Sequence, residues 1–255
     1  MTRYELIFSP TGGTKKVAQL LTAGWPEASV QTIDLTDKDL DFAQMGFGPE
    51  DVCFIAVPSY GGRVPTIAAQ RLAMLHGGGA RAVLLCVYGN RAYEDTLLEL
   101  EDIVREKGFL PVAAVAAVAE HSIMHQFGSG RPDEQDRTEL NGFAARIDQL
   151  LAQTSNTDIV QVPGNRPYRE YSGVPLKPKA GKSCTRCGIC AAQCPVGAIA
   201  AENPQATDTK RCISCMRCLQ VCPQKARKLN KIVTFTAAYK MKKACSSRKA
   251  NELFL

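Results

Sequence analysis

Short apolar runs alternate with amphipathic stretches over the first 153 residues. Residues 3–8, 29–35, 51–57, 80–87 and 109–119 are rich in Val, Ile, Leu and Ala and predict strands. Residues 15–23, 66–76, 93–107 and 133–153 place apolar positions at helical spacing, the second ending at Gly77-Gly78-Gly79 and the third at Gly108. Uniformly apolar strands that alternate with helices predict a parallel sheet covered on both faces.

At residue 154 the periodicity stops. Residues 154–182 gain Ser, Asn, Gly, Pro and Tyr, and Pro163, Pro167, Pro175 and Pro178 predict an extended, semi-rigid linker. A motif then occurs twice at an offset of 28: C-T-R-C-G-I-C-A-A-Q-C-P from Cys184 and C-I-S-C-M-R-C-L-Q-V-C-P from Cys212. Three closely spaced thiolates fold around one face of an iron–sulfur cube, and the fourth, after a short helical step, points to a second cube. Cys184, Cys187, Cys190 and Cys222 are therefore expected to hold one [4Fe–4S] cluster, and Cys212, Cys215, Cys218 and Cys194 the other. Pro195 and Pro223 close the two loops, and Gly188 falls where the backbone would come close to sulfide. Zinc also uses C-x2-C pairs, but it closes on four ligands and has no use for repeated triplets. The chain thus divides into residues 1–155, a linker at 156–181, a cluster unit at 182–228 and a basic tail at 229–255.

In a parallel sheet, ligands bind at the carboxyl ends of the strands. The first strand runs into Ser9-Pro10-Thr11-Gly12-Gly13-Thr14 and a helix, where glycine backbone, hydroxyls and helix N–H groups suit a phosphate; a well-capped helix after a tight turn would look the same. The third strand leads into Pro58-Ser59-Tyr60-Gly61-Gly62 and the fourth into Tyr88-Gly89-Asn90-Arg91-Ala92-Tyr93. Each joins glycine to an aromatic that can lie against a flat ring.

These three loops, in this order, resemble the flavin mononucleotide loops of the flavodoxins over residues 1–155. The resemblance implies an α/β doubly wound, five-stranded parallel sheet of order 2-1-3-4-5. It places FMN phosphate at Ser9, Thr11, Gly12, Gly13 and Thr14 and the flavin ring between Pro58, Ser59, Tyr60, Gly61, Gly62 and Tyr88, Gly89, Asn90, Arg91, Tyr93. Tyr60 stands where flavodoxins often carry Trp. The cysteine repeat is similar to the bacterial two-cluster ferredoxins, which implies a small α+β unit. The whole is similar to the flavodoxin–ferredoxin fusion proteins of anaerobes.

Charge separates the two halves. Residues 1–176 hold 15 Lys and Arg against 22 Asp and Glu, whereas residues 177–255 hold 16 against 3. The basic half is expected to compensate anionic clusters, to contact the acidic half through a salt-sensitive interface, or to dock an acidic redox partner. Aromatics in the tail are sparse and no nucleic-acid motif is present, so no nucleic-acid partner is expected. The longest apolar run, 112–119, is too short to span a membrane, no signal peptide is evident, and a cytoplasmic protein without a membrane partner is expected. The sequence is compatible with a homodimer and does not set the oligomeric state.

Other residues read as structural. Cys53 and Cys86 lie in apolar strands, Cys245 falls outside the cluster motif, His76 ends a helix and Trp25 sits in a turn. His121, at the end of the fifth strand, is the candidate for a flavin-proximal proton donor, with His125 a weaker one. The expected function is electron transfer, with no catalytic residues: single electrons pass between the clusters and FMN and are exchanged with a redox partner. A flavin-dependent reductase fed by the clusters and an iron–sulfur redox sensor are the alternatives.

Overall fold

The computed structural model describes residues 2–25, 30–153 and 159–255, and in it each apolar run of the N-terminal half becomes a strand. The elements are β1 (Arg3–Ile7), α1 (Gly13–Leu21), β2 (Val30–Asp34), β3 (Val52–Pro58), α2 (Thr66–Leu72), β4 (Arg81–Tyr88), α3 (Thr96–Glu106), β5 (Leu110–Val118) and α4 (Glu134–Ala152). The parallel strands follow the order β2-β1-β3-β4-β5. Alternate side chains point to opposite faces. Leu6, Ile55, Leu84 and Ala116 join Leu97 and Leu100 of α3 on one side, while Ile7, Phe54, Val83 and Val115 meet Val17 of α1 and Leu140 of α4 on the other. Helices α1 and α4 therefore cover one face and α2 and α3 the other, as a doubly wound sheet requires.

Cys53 and Cys86 are buried in this core. Trp25 packs edge-on against Phe54 and donates from Nε1 to Asp148 at 3.1 Å. Helix α2 ends four residues earlier than its pattern predicts, so His76 lies beyond it and pairs with Gly46 through a short bridge.

The cluster unit holds β6 (Lys179–Ala180), α5 (Ile189–Ala192), α6 (Arg217–Gln220) and β7 (Arg227–Lys228), with β6 antiparallel to β7. The 28-residue repeat is a repeat of backbone shape. Left-handed φ values recur at Arg186 and Ser214, at Gly188 and Met216, and at Gly197 and Lys225. Ala198 N donates to Cys194 Sγ at 3.2 Å and Ala226 N to Cys222 Sγ at 3.3 Å. Gly188 therefore serves a backbone angle (φ 76°) that Met216 adopts in the other copy (φ 63°), and a Cβ at Gly188 would meet nothing within 4 Å.

Two segments depart from expectation. The linker boundary at 155/156 falls outside the described residues, but residues 159–178 form a strap laid along the first unit. Val160 N donates to Pro111 O at 2.9 Å, and Asp95 accepts Asn165 N at 2.9 Å and Arg169 N at 2.7 Å. The basic tail folds back as α7 (Lys231–Cys245) and β8 (Glu252–Phe254), and β8 pairs antiparallel with β5. The predicted five-stranded sheet gains a sixth strand. A buried network locks it there. Asp136, fully buried, accepts Arg131 Nη2 at 2.5 Å, Arg248 Nη2 at 3.0 Å and Asn251 Nδ2 at 3.0 Å, while Asn251 Oδ1 accepts Val118 N at 2.9 Å. Removing the charge of Asp136 strands Arg131, so Asp136→Asn is expected to cost about 3–5 kcal/mol in chemical denaturation and to open residues 246–255 to proteolysis. Neutralising Asp133, whose ion pair with Arg248 lies in solvent, should cost far less.

Candidate cofactor cavity and cluster sites

The loops at the carboxyl ends of β1, β3, β4 and β5 enclose a cavity of about 760 Å³ of empty space, part of it open to solvent. Thr11, Gly13 and Thr14 form one wall, Pro58, Ser59, Tyr60 and Gly61 a second, Tyr88 and Gly89 a third, and Glu120 to Ile123 a fourth. Helix α1 begins at Gly12, which has no side chain to cap it. Among the described residues no bond from the N–H of Gly13 or Thr14 is found, and both residues face the cavity. A helix start whose first two N–H groups are left open in this way accepts an anion. Ser9 stays out of the cavity: its Oγ accepts Lys15 N at 2.9 Å and shapes the turn from behind.

Nine of the fifteen residues expected around FMN line this cavity. Six do not, each for a local reason. Ser9 and Gly12 support the turn from outside. Gly62 (φ 88°) faces Glu94 and Arg169, where a Cβ would lie 2.1 Å from the Glu94 carboxylate. Arg91 pairs with Glu94 at 2.5 Å. Asn90 turns away to hold the tail, with Nδ2 donating to Cys245 O and Ser247 O, both at 2.9 Å, and Oδ1 accepting Lys249 N at 3.1 Å. Tyr93 packs behind Tyr88 with tilted rings, centroids 5.2 Å apart, and its hydroxyl donates to Glu252 of β8.

The strap supplies what the three loops leave open. Tyr171 and Val174 line the cavity, and the Tyr171 ring lies over Gly61 so closely that a Cβ there would come within 2.3 Å of it. Gly61 (φ 62°) is thus required both by the turn and by the ring above it. The aromatic walls are Tyr60, Tyr88 and Tyr171. Tyr171 sits in a non-periodic, proline-rich stretch, and only its aromatic character among polar neighbours hints at a site.

His121 also lines the cavity, with its ring over Gly89. Its Nδ1 accepts the N–H groups of Ile123 at 3.1 Å and Met124 at 3.2 Å, which leaves the proton on Nε2. Burial, then the charges of His125 and Arg91, lowers its pKa from 6.5 to about 4. It is a neutral hydrogen-bond donor at neutral pH rather than an imidazolium acid. His125 is exposed and pairs with Glu120 at 2.7 Å.

The eight motif cysteines ring two further voids of about 340 and 350 Å³ of empty space, part of it open to solvent. Cys194, Cys212, Cys215 and Cys218 line the first and Cys184, Cys187, Cys190 and Cys222 the second. Among the described residues no three His, Cys, Asp or Glu converge on a point that could hold a single metal ion. An arginine lines each void, Arg217 the first and Arg227 the second, and the Nε of each is buried without a partner. Both voids therefore suit an anionic group that accepts hydrogen bonds. Burial pushes the thiols of Cys215 and Cys218 up to about 12, so their ligation of a cation would be coupled to proton release.

The cavity and the first void share a wall. Ile213 lines both, Ser214 lines the cavity, and Cys215 lines the void. Two arginines fix the units in this position: Arg71 Nη2 of α2 donates to Pro195 O at 2.8 Å, and Arg217 Nη1 of α6 donates to Pro10 O in the first turn at 3.2 Å. Among the described residues no ion pair joins residues 179–228 to the sheet, so the expected salt-sensitive interface is built of arginine–carbonyl bonds instead. The ion pairs of the basic half sit in the tail, where Arg248 meets Asp133 at 2.7 Å.

Residues 183–227 match the family model described as a 4Fe-4S dicluster domain. No curated protein matches the chain. Among solved structures, a Streptococcus pneumonia TIGR4 flavodoxin is 18% identical and covers 60% of this chain and 99% of its own, with a TM-score of 0.39. A flavodoxin from the domain Archaea is 16% identical over 59% of this chain and 99% of its own (TM-score 0.41), and the oxidised Flavodoxin 1 of Bacillus cereus 15% identical over 58% and 98% (TM-score 0.42). The fold assignment rests on the strand order itself, which is that of the flavodoxins. The chain therefore joins a sheet of flavodoxin-like strand order to a region that matches a 4Fe-4S dicluster domain.

The state of His121 is measurable. With its pKa near 4 in the folded chain against 6.5 unfolded, only the unfolded chain takes up the proton between those values. Stability present above pH 6.5 should fall as pH drops toward 4, by up to about 3 kcal/mol. Denaturation midpoints at pH 7 and pH 5 should converge in His121→Gln.

Proposed function

We propose that this chain is an electron-transfer protein, with two [4Fe–4S] clusters in its C-terminal unit, FMN in its N-terminal cavity, and exchange of electrons with a redox partner. A cubane cluster supplies electrons singly and a flavin takes one or two, so the pair couples single-electron and two-electron chemistry. The single observation that carries the reading is the wall at Ile213: one side chain borders both the cavity and the void ringed by Cys194, Cys212, Cys215 and Cys218.

The chain's own residues would do the rest. The open N–H groups of Gly13 and Thr14 and the hydroxyls of Thr11 and Thr14 would hold the phosphate. Tyr60, Tyr88 and Tyr171 would flank the ring and, with Val87, Val174 and Ile213, exclude water from it. Among the described residues Glu120 is the single acidic side chain on the lining and no Lys or Arg lines it, so the phosphate would be held by dipoles and hydroxyls. Arg217 and Arg227 would donate to the clusters and, with Lys177 bonded to Cys212 O at 2.5 Å, raise their affinity for electrons.

The reductase alternative needs an acid in the cavity. His121, neutral at pH 7, does not supply a labile charge, so His121→Ala should leave cluster-to-flavin transfer nearly unchanged.

Protein purified without oxygen should release about one FMN and about eight irons per chain. Cys215→Ser, which removes a ligand beside the shared wall, should leave FMN bound yet slow flavin reduction through the clusters by at least about tenfold. Flavin reduction as fast in Cys215→Ser as in the parent would remove the proposed route. Because the docking bonds are arginine to carbonyl, the internal rate should change less than about twofold between low and physiological ionic strength.

A further inference from the structure

Helix α7 is apolar on two opposite faces. Val233, Ala237, Ala238 and Met241 pack inward toward Met124, Phe127 and Leu176. On the other side Ile232, Phe235 and Tyr239 are 77, 74 and 73% exposed. At spacings of i, i+3 and i+7 they form one ridge two turns long. Lys231 and Lys242 flank it on one side and Lys240 and Lys243 on the other. The whole stretch from 225 to 251 carries nine Lys and Arg and no Asp or Glu. A contiguous apolar ridge left in water marks an interaction surface, and its rim states the charge of what covers it.

We propose that this ridge is the docking surface for the acidic face of a redox protein, placed beside the cluster void that lies toward solvent. The inference rests on the electron-transfer reading and adds where the partner sits. Cys187 is the exposed cysteine of the chain and lines the void shared with Cys184, Cys190 and Cys222. Arg227 of β7 lines the same void and donates to Cys190 Sγ at 3.6 Å, and α7 starts at Lys231, four residues later. The other void is the one closed against the cavity by Ile213, so the ridge meets the outer cluster site at the start of α7, while the inner face of the helix packs on Ile123 and Val174 of the cavity wall. A second copy of the chain is a poor occupant, because an isologous contact would bring lysines against lysines with no acid on the helix to meet them. A lipid surface would lie over the solvent-facing cluster and close it off. An acidic protein with an apolar centre matches both the rim and the ridge, and small contacts of this kind suit transient electron-transfer encounters.

The test uses the full chain with its cofactors and a reduced, acidic bacterial two-cluster ferredoxin as the probe. Zero-length carboxyl-to-amine crosslinking at low ionic strength, followed by peptide mapping, is expected to join probe carboxylates to Lys231, Lys240, Lys242 or Lys243. The triple variant Ile232→Ser, Phe235→Ser, Tyr239→Ser alters side chains in solvent, so the fold is retained. It should weaken probe binding at least about tenfold while leaving reduction of the clusters by dithionite unchanged. Crosslinks confined to Lys177 or Lys210, or binding unaffected by the triple variant, would overturn the proposal. So would flotation with phosphatidylglycerol vesicles that the triple variant abolishes in the absence of probe binding, or a dimer in light scattering that the triple variant dissolves. Crosslinking at the expected lysines without electron transfer from the bound ferredoxin would keep the surface and sink the electron-transfer reading instead.

Discussion

Everything that makes this chain more than two tethered modules depends on how its cluster unit is held over the end of the sheet. Two arginines do this, each by donating to a backbone carbonyl across the boundary: Arg71 to Pro195 and Arg217 to Pro10. Arg71 is buried, stacks near the Phe42 ring and also donates to Leu35 O, so its position is set by the sheet before the cluster unit is added. Carbonyl acceptors make the contact directional without adding a second charge, and a buried guanidinium with carbonyl partners is less exposed to salt than a surface ion pair. The consequence is the shared wall at Ile213, with the cavity on one side and four cysteines on the other.

The same economy of placement recurs at the far edge of the sheet. The tail returns after the cluster unit, runs as a helix over the 123–127 loop and closes as an antiparallel strand on β5. Asn90, Arg131, Asp136 and Asn251 form one buried network around that return, joined at its rim by the exposed Arg248. Because Asn90 belongs to the loop whose Tyr88 and Gly89 line the cavity, the network that fixes the tail also fixes one cavity wall. The strap does likewise on the opposite side: Asp95 holds its backbone, Arg63 donates to Arg169 O, and Tyr171 is carried to the cavity.

Local pattern was enough for much of this. Five apolar runs became five strands in the expected order, since each is long, uniformly apolar and bounded by glycine or a helix signal. The cysteine repeat was legible because ligand spacing along the chain dictates which sulfurs can share a cluster, and the two voids are ringed by the two expected sets. What local pattern could not show is long-range pairing. Strand β8 is three residues long and has no periodicity to read, and its partner lies more than 130 residues earlier. Asn90 and Tyr93 stand beside an aromatic–glycine pair, so their neighbours suggested a ring-binding loop, whereas their hydrogen bonds go to the tail. Tyr171 lay in a stretch read as a spacer, and only the fold brings it over Gly61.

The central claim is that cavity and inner cluster are neighbours within one chain. A crystal structure of the protein prepared without oxygen, with its cofactors in place, tests it most directly. The account predicts a flavin ring bordered by Tyr60, Tyr88 and Tyr171, a cluster on Cys194, Cys212, Cys215 and Cys218, and Ile213 as the side chain between them. A flavin bound elsewhere, or a cluster unit turned so that Cys184, Cys187, Cys190 and Cys222 face the cavity instead, would contradict it.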